Sequence, residues 1–250
     1  MKKPIIVFTV ADEKNMVHAT KMINSFHKFH PDIEVKVYGA KDIGDPTNYY
    51  RSTAMFAKEL IKEYDLVIKM DADQIVTGNL YYIFEEDYEV GTVLNFNRVD
   101  PKMYGNVTVF NIPPQAYMNC GLVAMRSQKF INHWWRLCES PAFHTLQYRE
   151  QDILNLIIHY GDYNVECFDF PNNVKDYHAW HGLASKGEYS KMVIRGGKLV
   201  LPKSTDKYPD HTKEIKVLHS AGGSNEKKIG DSYKIYFNED CIKYIDGIIK

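Results

Sequence analysis

The run Ile5-Ile6-Val7-Phe8-Thr9 presents no polar face, so a strand there has to be covered on both sides. That requirement points to a sheet with helices on each face. The residues that follow agree. Ala19, Met22, Ile23, Phe26 and Phe29 recur at helical spacing, and Pro31 ends the pattern. Glu34 to Tyr38 alternates as a second strand. Ala54, Ala57, Leu60 and Ile61 mark a second helix, and Leu66 to Met70 a third strand. The order β-α-β-α-β predicts an α/β fold with a Rossmann-like, doubly wound sheet, mixed but mostly parallel. In such sheets ligands bind beyond the carboxyl ends of the strands. Ala11-Asp12 and Asp71-Ala72-Asp73 each lie there.

The second half is less regular. Val90 to Phe96, Val107 to Asn111 and Leu122 to Met125 read as strands. Ile153, Leu156, Ile157 and Tyr160 mark a helix, with strands near Val165 to Phe170 and Ile215 to Leu218. Pro171 to Thr212 is rich in Gly, Lys, His and aromatics without a period, and reads as loops and short strands. Phe237, Cys241, Tyr244, Ile245 and Ile248 share one face of a C-terminal helix. No repeat, low-complexity tract or long linker divides the 250 residues, so one domain is expected.

Composition removes several classes. Lys plus Arg (31) nearly balances Asp plus Glu (32), so no global field recruits nucleic acid or anionic membrane. Any bound anion must be met by local groups. Cys120, Cys138, Cys167 and Cys241 are too scattered for a zinc cage or a dense disulfide framework, and fit thiols in a reducing compartment. Met1-Lys2-Lys3-Pro4 leads directly into the first strand, and no apolar run approaches spanning length. A soluble, cytoplasmic chain is the expectation.

Four segments carry candidate chemistry. In Met70-Asp71-Ala72-Asp73-Gln74, two carboxylates one residue apart end an apolar strand and can turn toward one hard cation, Mg²⁺ or Mn²⁺. The same pattern is also ordinary turn chemistry, each Asp capping local amides. His219, after another apolar run, can complete such a sphere with a neutral imidazole, or can be a surface histidine before the flexible Ser220-Ala221-Gly222-Gly223. Glu150 and Asp152 open a helix where acidic side chains favour its dipole, which does not account for Gln151 between them. Asn119-Cys120-Gly121 places small residues beside a strand, for close approach of a ligand or for close packing. No G-x-S-x-G, P-loop or G-x-G-x-x-G is present, and His178-x-x-His181 has loop-like surroundings.

Together these segments resemble the family 8 glycosyltransferases of the GT-A fold, the group that contains glycogenin and bacterial lipopolysaccharide galactosyltransferases. Ile-Val-Phe-Thr-Val-Ala-Asp (6–12) is similar to the family's opening strand and its uracil-contacting Asp. Tyr50-Arg51, the helix through Lys58, and Lys69-Met70-Asp71-Ala72-Asp73 resemble its Tyr-x-Arg helix and D-x-D strand. Met118-Asn119-Cys120-Gly121 resembles F-N-[AS]-G, Glu150-Gln151-Asp152-Ile153-Leu154-Asn155 resembles D-Q-D-x-L-N, and His219-x-x-Gly222 resembles H-x-x-G. There are departures. Asn225 and Glu226 stand where Lys-Pro-Trp is usual, leaving Lys227 or Lys228 as substitutes. Asn15-Met16 replaces a uracil-stacking aromatic, and Glu150 replaces Asp.

The resemblance implies a metal-dependent, retaining transfer of a hexose from a UDP-sugar to an acceptor hydroxyl. It implies Asp71, Asp73 and His219 as ligands of Mn²⁺ or Mg²⁺, with Gln151 and Glu150 at the anomeric carbon and the sugar hydroxyls. Thr9, Ala11, Asp12, Asn15, Arg51, Lys58, Ala72, Asn119, Cys120, Gly121, Gly222, Lys227 and Lys228 would line the donor site. Residues 1–100 then form a nucleotide-binding half, 101–223 the donor-sugar and acceptor half, and 224–250 a closing loop and helix. Two other readings compete: a catalytically silent nucleotide-sugar-binding domain on the same fold, and a nucleotidyltransferase. The latter would want a glycine- and basic-rich loop after the first strand, and Val10 to Val17 is neither.

Overall fold

A computed structural model describes residues 3–95, 111–113, 116–168, 192–201, 213–219 and 237–250. The expected alternation holds through the first half, as β1 (Lys3–Val10), α1 (Met16–Phe29), β2 (Glu34–Tyr38), a one-turn α2 (Ala40–Ile43), a 3₁₀ segment (Pro46–Arg51), α3 (Ser52–Leu60) and β3 (Tyr64–Met70). Next come β4 (Gln74–Val76), α4 (Tyr81–Glu85) and β5 (Val90–Leu94), then β6 (Met118–Met125) and α5 (Gln128–Cys138). A second 3₁₀ segment (Pro141–Thr145) leads to α6 (Glu150–Tyr160) and β7 (Val165–Cys167). The remaining elements are β8 (Val193–Arg195), β9 (Lys198–Leu201), β10 (Lys213–Glu214), β11 (Val217–His219) and α7 (Glu239–Ile249).

The main sheet runs β2-β1-β3-β6-β5-β7. β1 pairs parallel with β2 and β3, and β5 pairs parallel with β7, while β6 is antiparallel to both β3 and β5. Five strands therefore point one way and β6 returns between them, which makes the sheet mixed. Every residue of β6 is buried, as its central place requires.

Strand alternation sends successive side chains to opposite layers. Ile6, Phe8, Val67, Val123 and Met125 pack on one face against α3, α5 and α6, whose Phe130, Trp134 and Ile153 fill that layer. Val7, Leu66, Ile68, Leu122 and Ala124 pack on the other against Met22 and Phe26 of α1 and Ile83 of α4. Each fully buried Val, Leu, Ile, Phe or Met among them contributes about 1.5–3 kcal/mol relative to exposure. A third cluster joins Ile75, Leu199 and Leu218 to Cys241 and Ile245 of α7, and Asn24 of α1 donates to the Ile249 carbonyl at 3.1 Å.

Several expectations are revised. α5 adds a helix that the expected elements do not include. β6 starts at Met118 rather than Leu122, and β5 ends at Leu94. Asn111, expected in a strand, has a φ of 57°; residues 107–110 lie outside the described part. Of the stretch from Pro171 to Thr212, only 192–201 is described. It forms a hairpin whose turn, Gly196-Gly197, has φ of 56° and 75°, the left-handed backbone that tight hairpins need. Among the described residues no helix is long and apolar enough to cross a membrane.

Candidate active site

β3 stops at Met70 and the chain turns. The Asp71 amide still bonds to the Gly121 carbonyl of β6 at 2.8 Å, and the Gln74 amide closes the turn on the Asp71 carbonyl at 3.1 Å. β4 then pairs antiparallel with β11, setting Gln74 opposite His219. This distant pairing brings the imidazole to the two carboxylates. Its Nε2 lies 3.2 Å from Asp71 Oδ2 and 3.3 Å from Asp73 Oδ1. One ligand atom from each of the three residues lies within 4.8 Å of the others, a hard oxygen–nitrogen set suited to Mg²⁺ or Mn²⁺.

Two further observations fit a cation there. A Cβ added at Gly121 would fall 2.2 Å from His219 Cε1 and 2.8 Å from Asp71 Oδ2, so the cradle exists because that side chain is missing. Electrostatics agree. Burial disfavours charge on His219, yet Asp73 and Asp71 lift it to about 9, as expected where two carboxylates face Nε2. Burial would also raise the Asp71 carboxyl, but Lys69 and His219 outweigh it and hold it well below the usual range.

Lys69 is the site residue that motif reading passed over as a charge. Its ammonium is buried, donating to Asp71 Oδ1 and, at 2.8 Å, to the Cys120 carbonyl. Burial lowers its affinity for the proton, and Asp71 more than restores it. The signal was a lysine inside an apolar strand that reads as buried, where a cation needs a partner.

α6 supplies the other wall. Asp152 accepts from the Tyr148 amide at 2.8 Å and from the Tyr117 hydroxyl at 2.6 Å. Asn155 accepts from the Met118 amide at 2.6 Å and donates to the Met118 carbonyl at 2.9 Å, riveting α6 to β6. Gln151 Oε1 then meets the Cys120 amide at 2.9 Å. Glu150 accepts from the Thr53 hydroxyl at 2.7 Å and the Thr53 amide at 3.2 Å. Burial pushes its carboxyl up to about 7, against the pull of Lys69 and Thr53. Immediately before this pair, Arg149 has a φ of 48°, a backbone region that costs a residue with a Cβ about 1–3 kcal/mol. A pocket of about 280 Å³ is lined by Lys69, Asp71, Cys120 and Gly121 on the strand side and by Glu150, Gln151 and neighbours on the helix side.

The remaining expected residues are distributed as follows. Asp12 Oδ1 accepts from the Asn15 amide at 2.9 Å and its side-chain nitrogen at 2.8 Å, a local cap. Burial raises the Tyr49 hydroxyl, and Asp71, Asp12 and Asp73 add to the shift while Lys69 opposes it. Ala11 is buried, its amide on the Tyr38 carbonyl at 2.9 Å. Thr9 is buried and its hydroxyl has no partner among the described residues. Ala72 sits in the turn between the carboxylates. Asn119 accepts from the Gly121 amide at 2.7 Å. Arg51 and Lys58 lie over the Trp135 ring, 5.5 and 5.3 Å from its centre, and do not line the pocket. Gly222, Lys227 and Lys228 lie outside the described residues.

A mixed sheet of this order, with helices on both faces and an Asp-x-Asp turn beyond a central strand, defines the GT-A fold of glycosyltransferases. Among solved structures, the chain is similar to the galactosyltransferase LgtC in complex with donor and acceptor sugar analogues, at 13% identity, 98% of this chain, 96% of that one and a TM-score of 0.60. It is also similar to a glycosyltransferase involved in glycosylation of the major capsid of PBCV-1, at 11% identity, 93% and 99% coverage and a TM-score of 0.59. At these identities the likeness is one of fold. No family model and no curated protein matches the sequence.

Proposed function

We propose that the protein is a metal-dependent, retaining glycosyltransferase that moves a hexose from a UDP-sugar to an acceptor hydroxyl. The observation that carries this reading is the convergence of Asp71, Asp73 and His219 beside a pocket walled by Glu150 and Gln151. Asp71, Asp73 and His219 would hold Mn²⁺ or Mg²⁺, which when bound offsets the charge of the departing diphosphate. Asp12 accepts from the uracil N3–H with its second oxygen. Lys69, rather than Arg51 or Lys58, supplies the buried positive charge and fixes the Asp71 carboxylate.

As the bond from the anomeric carbon to the diphosphate breaks, positive charge grows on the sugar ring. The Gln151 amide oxygen, aimed by the Cys120 amide, stabilises that charge without bonding to carbon. Both Glu150 oxygens engage Thr53, which favours a role in positioning over one as nucleophile. The acceptor oxygen then approaches on the leaving-group face, bonds to the anomeric carbon, and passes its proton to a phosphate oxygen of the departing UDP. The expected product is α-linked.

The test is thermal unfolding with UDP, Mn²⁺ and both together. A ligand that binds only the folded state raises its stability, so the pair should stabilise far more than the separate shifts combined. Asp73→Asn and His219→Ala should each remove that coupling. Undiminished coupling in both variants would sink the metal assignment, and coupling without donor hydrolysis would favour a silent binding domain.

A further inference from the structure

Arg149 also lines the pocket, and among the described residues its contacts are with rings and a histidine rather than a carboxylate. The Arg149 guanidinium lies over two rings, 5.5 Å from the centre of Tyr50 and 5.6 Å from that of Phe143. Its Nη1 is 3.4 Å from Nδ1 of the exposed His144. Glu150, its neighbour in sequence, turns both oxygens to Thr53 instead. The backbone is strained at this position, with φ at 48°, where glycine would be at ease. The chain thus keeps a long cationic side chain at a point beside Glu150 and Gln151 where the backbone favours none.

Of the two rings, Phe143 is buried and Tyr50 is exposed, next to a second exposed tyrosine. Tyr49 and Tyr50 are 43% and 56% accessible, stand edge to face at 5.8 Å, and line the same pocket as Asp71 and Gln151. Exposed rings at a pocket mouth offer an apolar surface with a polar tip, suited to a sugar ring. A guanidinium already ordered on an aromatic face can turn its planar fork to two oxygens of one anion, in place of the exposed His144 that Nη1 approaches. At the carboxylate end of the pocket the buried cation is Lys69, already committed to Asp71 and Cys120.

We propose that Tyr50 and Arg149 form an acceptor subsite for a sugar bearing an anionic group, its ring against Tyr50 and its carboxylate or phosphate on the guanidinium. The proposal rests on the glycosyltransferase reading above and adds the class of acceptor.

The full chain with Mg²⁺, with and without saturating UDP, is titrated with methyl β-D-glucuronide, glucose 6-phosphate and methyl β-D-glucoside by ligand-observed NMR. At least one anionic sugar should bind about tenfold more tightly than the glucoside, the scale of a charge-assisted pair. Which of the two does so distinguishes carboxylate from phosphate. In Arg149→Gln, and in Arg149→Gly, whose backbone suits the observed φ, the preference should collapse to below about twofold. Equal binding of all three sugars by the parent protein, or a preference that survives both variants, overturns the proposal. Displacement of the anionic sugar by UDP with Mg²⁺ also overturns it, because the guanidinium would then serve the diphosphate. Failure of the parent reading shows separately, as absence of metal-dependent UDP binding in the same samples.

Discussion

At Gly121 one missing carbon decides whether three ligands can share an ion. An alanine there would put its Cβ 2.2 Å from His219 Cε1, 2.6 Å from Asn119 Oδ1 and 2.8 Å from Asp71 Oδ2. β6 is buried on both faces, so the strand has no free direction in which to retreat. Gly121→Ala is expected to cost about 1–3 kcal/mol by overpacking, and also to remove the stabilisation by Mn²⁺ with UDP. Gly91→Ala is the matched control. Its Cβ would fall 2.1 Å from Phe168 Cζ, an equal intrusion away from the carboxylates. Denaturant midpoints should fall in both variants, whereas calorimetric Mn²⁺ binding should fail only in Gly121→Ala. Intact metal binding in Gly121→Ala would show that the cradle is not where the ion sits.

The helix α6 places Gln151 and Glu150 because Asn155 holds its first turn to the start of β6. That amide makes a reciprocal pair with the Met118 backbone and also donates to the Gln151 carbonyl at 2.8 Å. Asn155→Leu should destabilise by about 2–4 kcal/mol, since it leaves a buried Met118 amide and carbonyl unpaired. Turnover should drop more than UDP affinity does, because the displaced groups act on the sugar rather than the nucleotide. A urea midpoint equal to that of the parent chain would refute the anchoring role. The start of α6 was legible in sequence, since Ile153, Leu156, Ile157 and Tyr160 show the period. α5 carried a comparable signal: Ser127 caps Phe130 at 3.2 Å, and Phe130, Ile131, Trp134 and Cys138 share one buried face. Its polar outward face sharpens that pattern, so α5 was as legible as α6. The first residues of β6 were hidden, because Asn119 and Gly121 look like loop residues until Asn119 is seen to accept from the Gly121 amide within the strand. The pairing of β4 with β11 has no local signature at all. His219 could be nominated from its residue type and position after an apolar run, but only the fold brings it to Asp71 and Asp73.

Across the whole molecule, stability should depend on a histidine remote from the proposed chemistry. His30 caps the end of α1, and its Nε2 accepts the Leu80 amide at 3.0 Å, tying that helix to the approach of α4. Its ring packs against Phe26, Tyr81 and Phe84, and Nδ1 has no partner among the described residues. Burial, with help from Lys216, pushes its pKa down to about 4. Above about pH 6.5 neither the folded nor the unfolded imidazole is charged, and the group adds no pH dependence. As pH falls below that value the unfolded chain takes up a proton which the folded chain refuses until about pH 4, so folding stability declines through this window. A depression of this size corresponds to about 2–4 kcal/mol in total. Glu150 acts in the opposite direction. Its carboxyl is raised to about 7, so in the folded state it binds protons that the unfolded state releases, and it favours folding as pH drops from 7 toward the ordinary carboxylate range. The net profile therefore conceals both, and a difference between variants is needed to separate them. His30→Gln keeps an acceptor near Nε2 but cannot titrate. Urea unfolding in chelator from pH 7.5 to 4, for parent and variant, should give curves whose separation is constant above about 6.5 and shifts steadily toward the variant below it. Parallel curves across the whole range would mean that His30 is solvated or already protonated in the folded chain, and that the Leu80 amide has another acceptor.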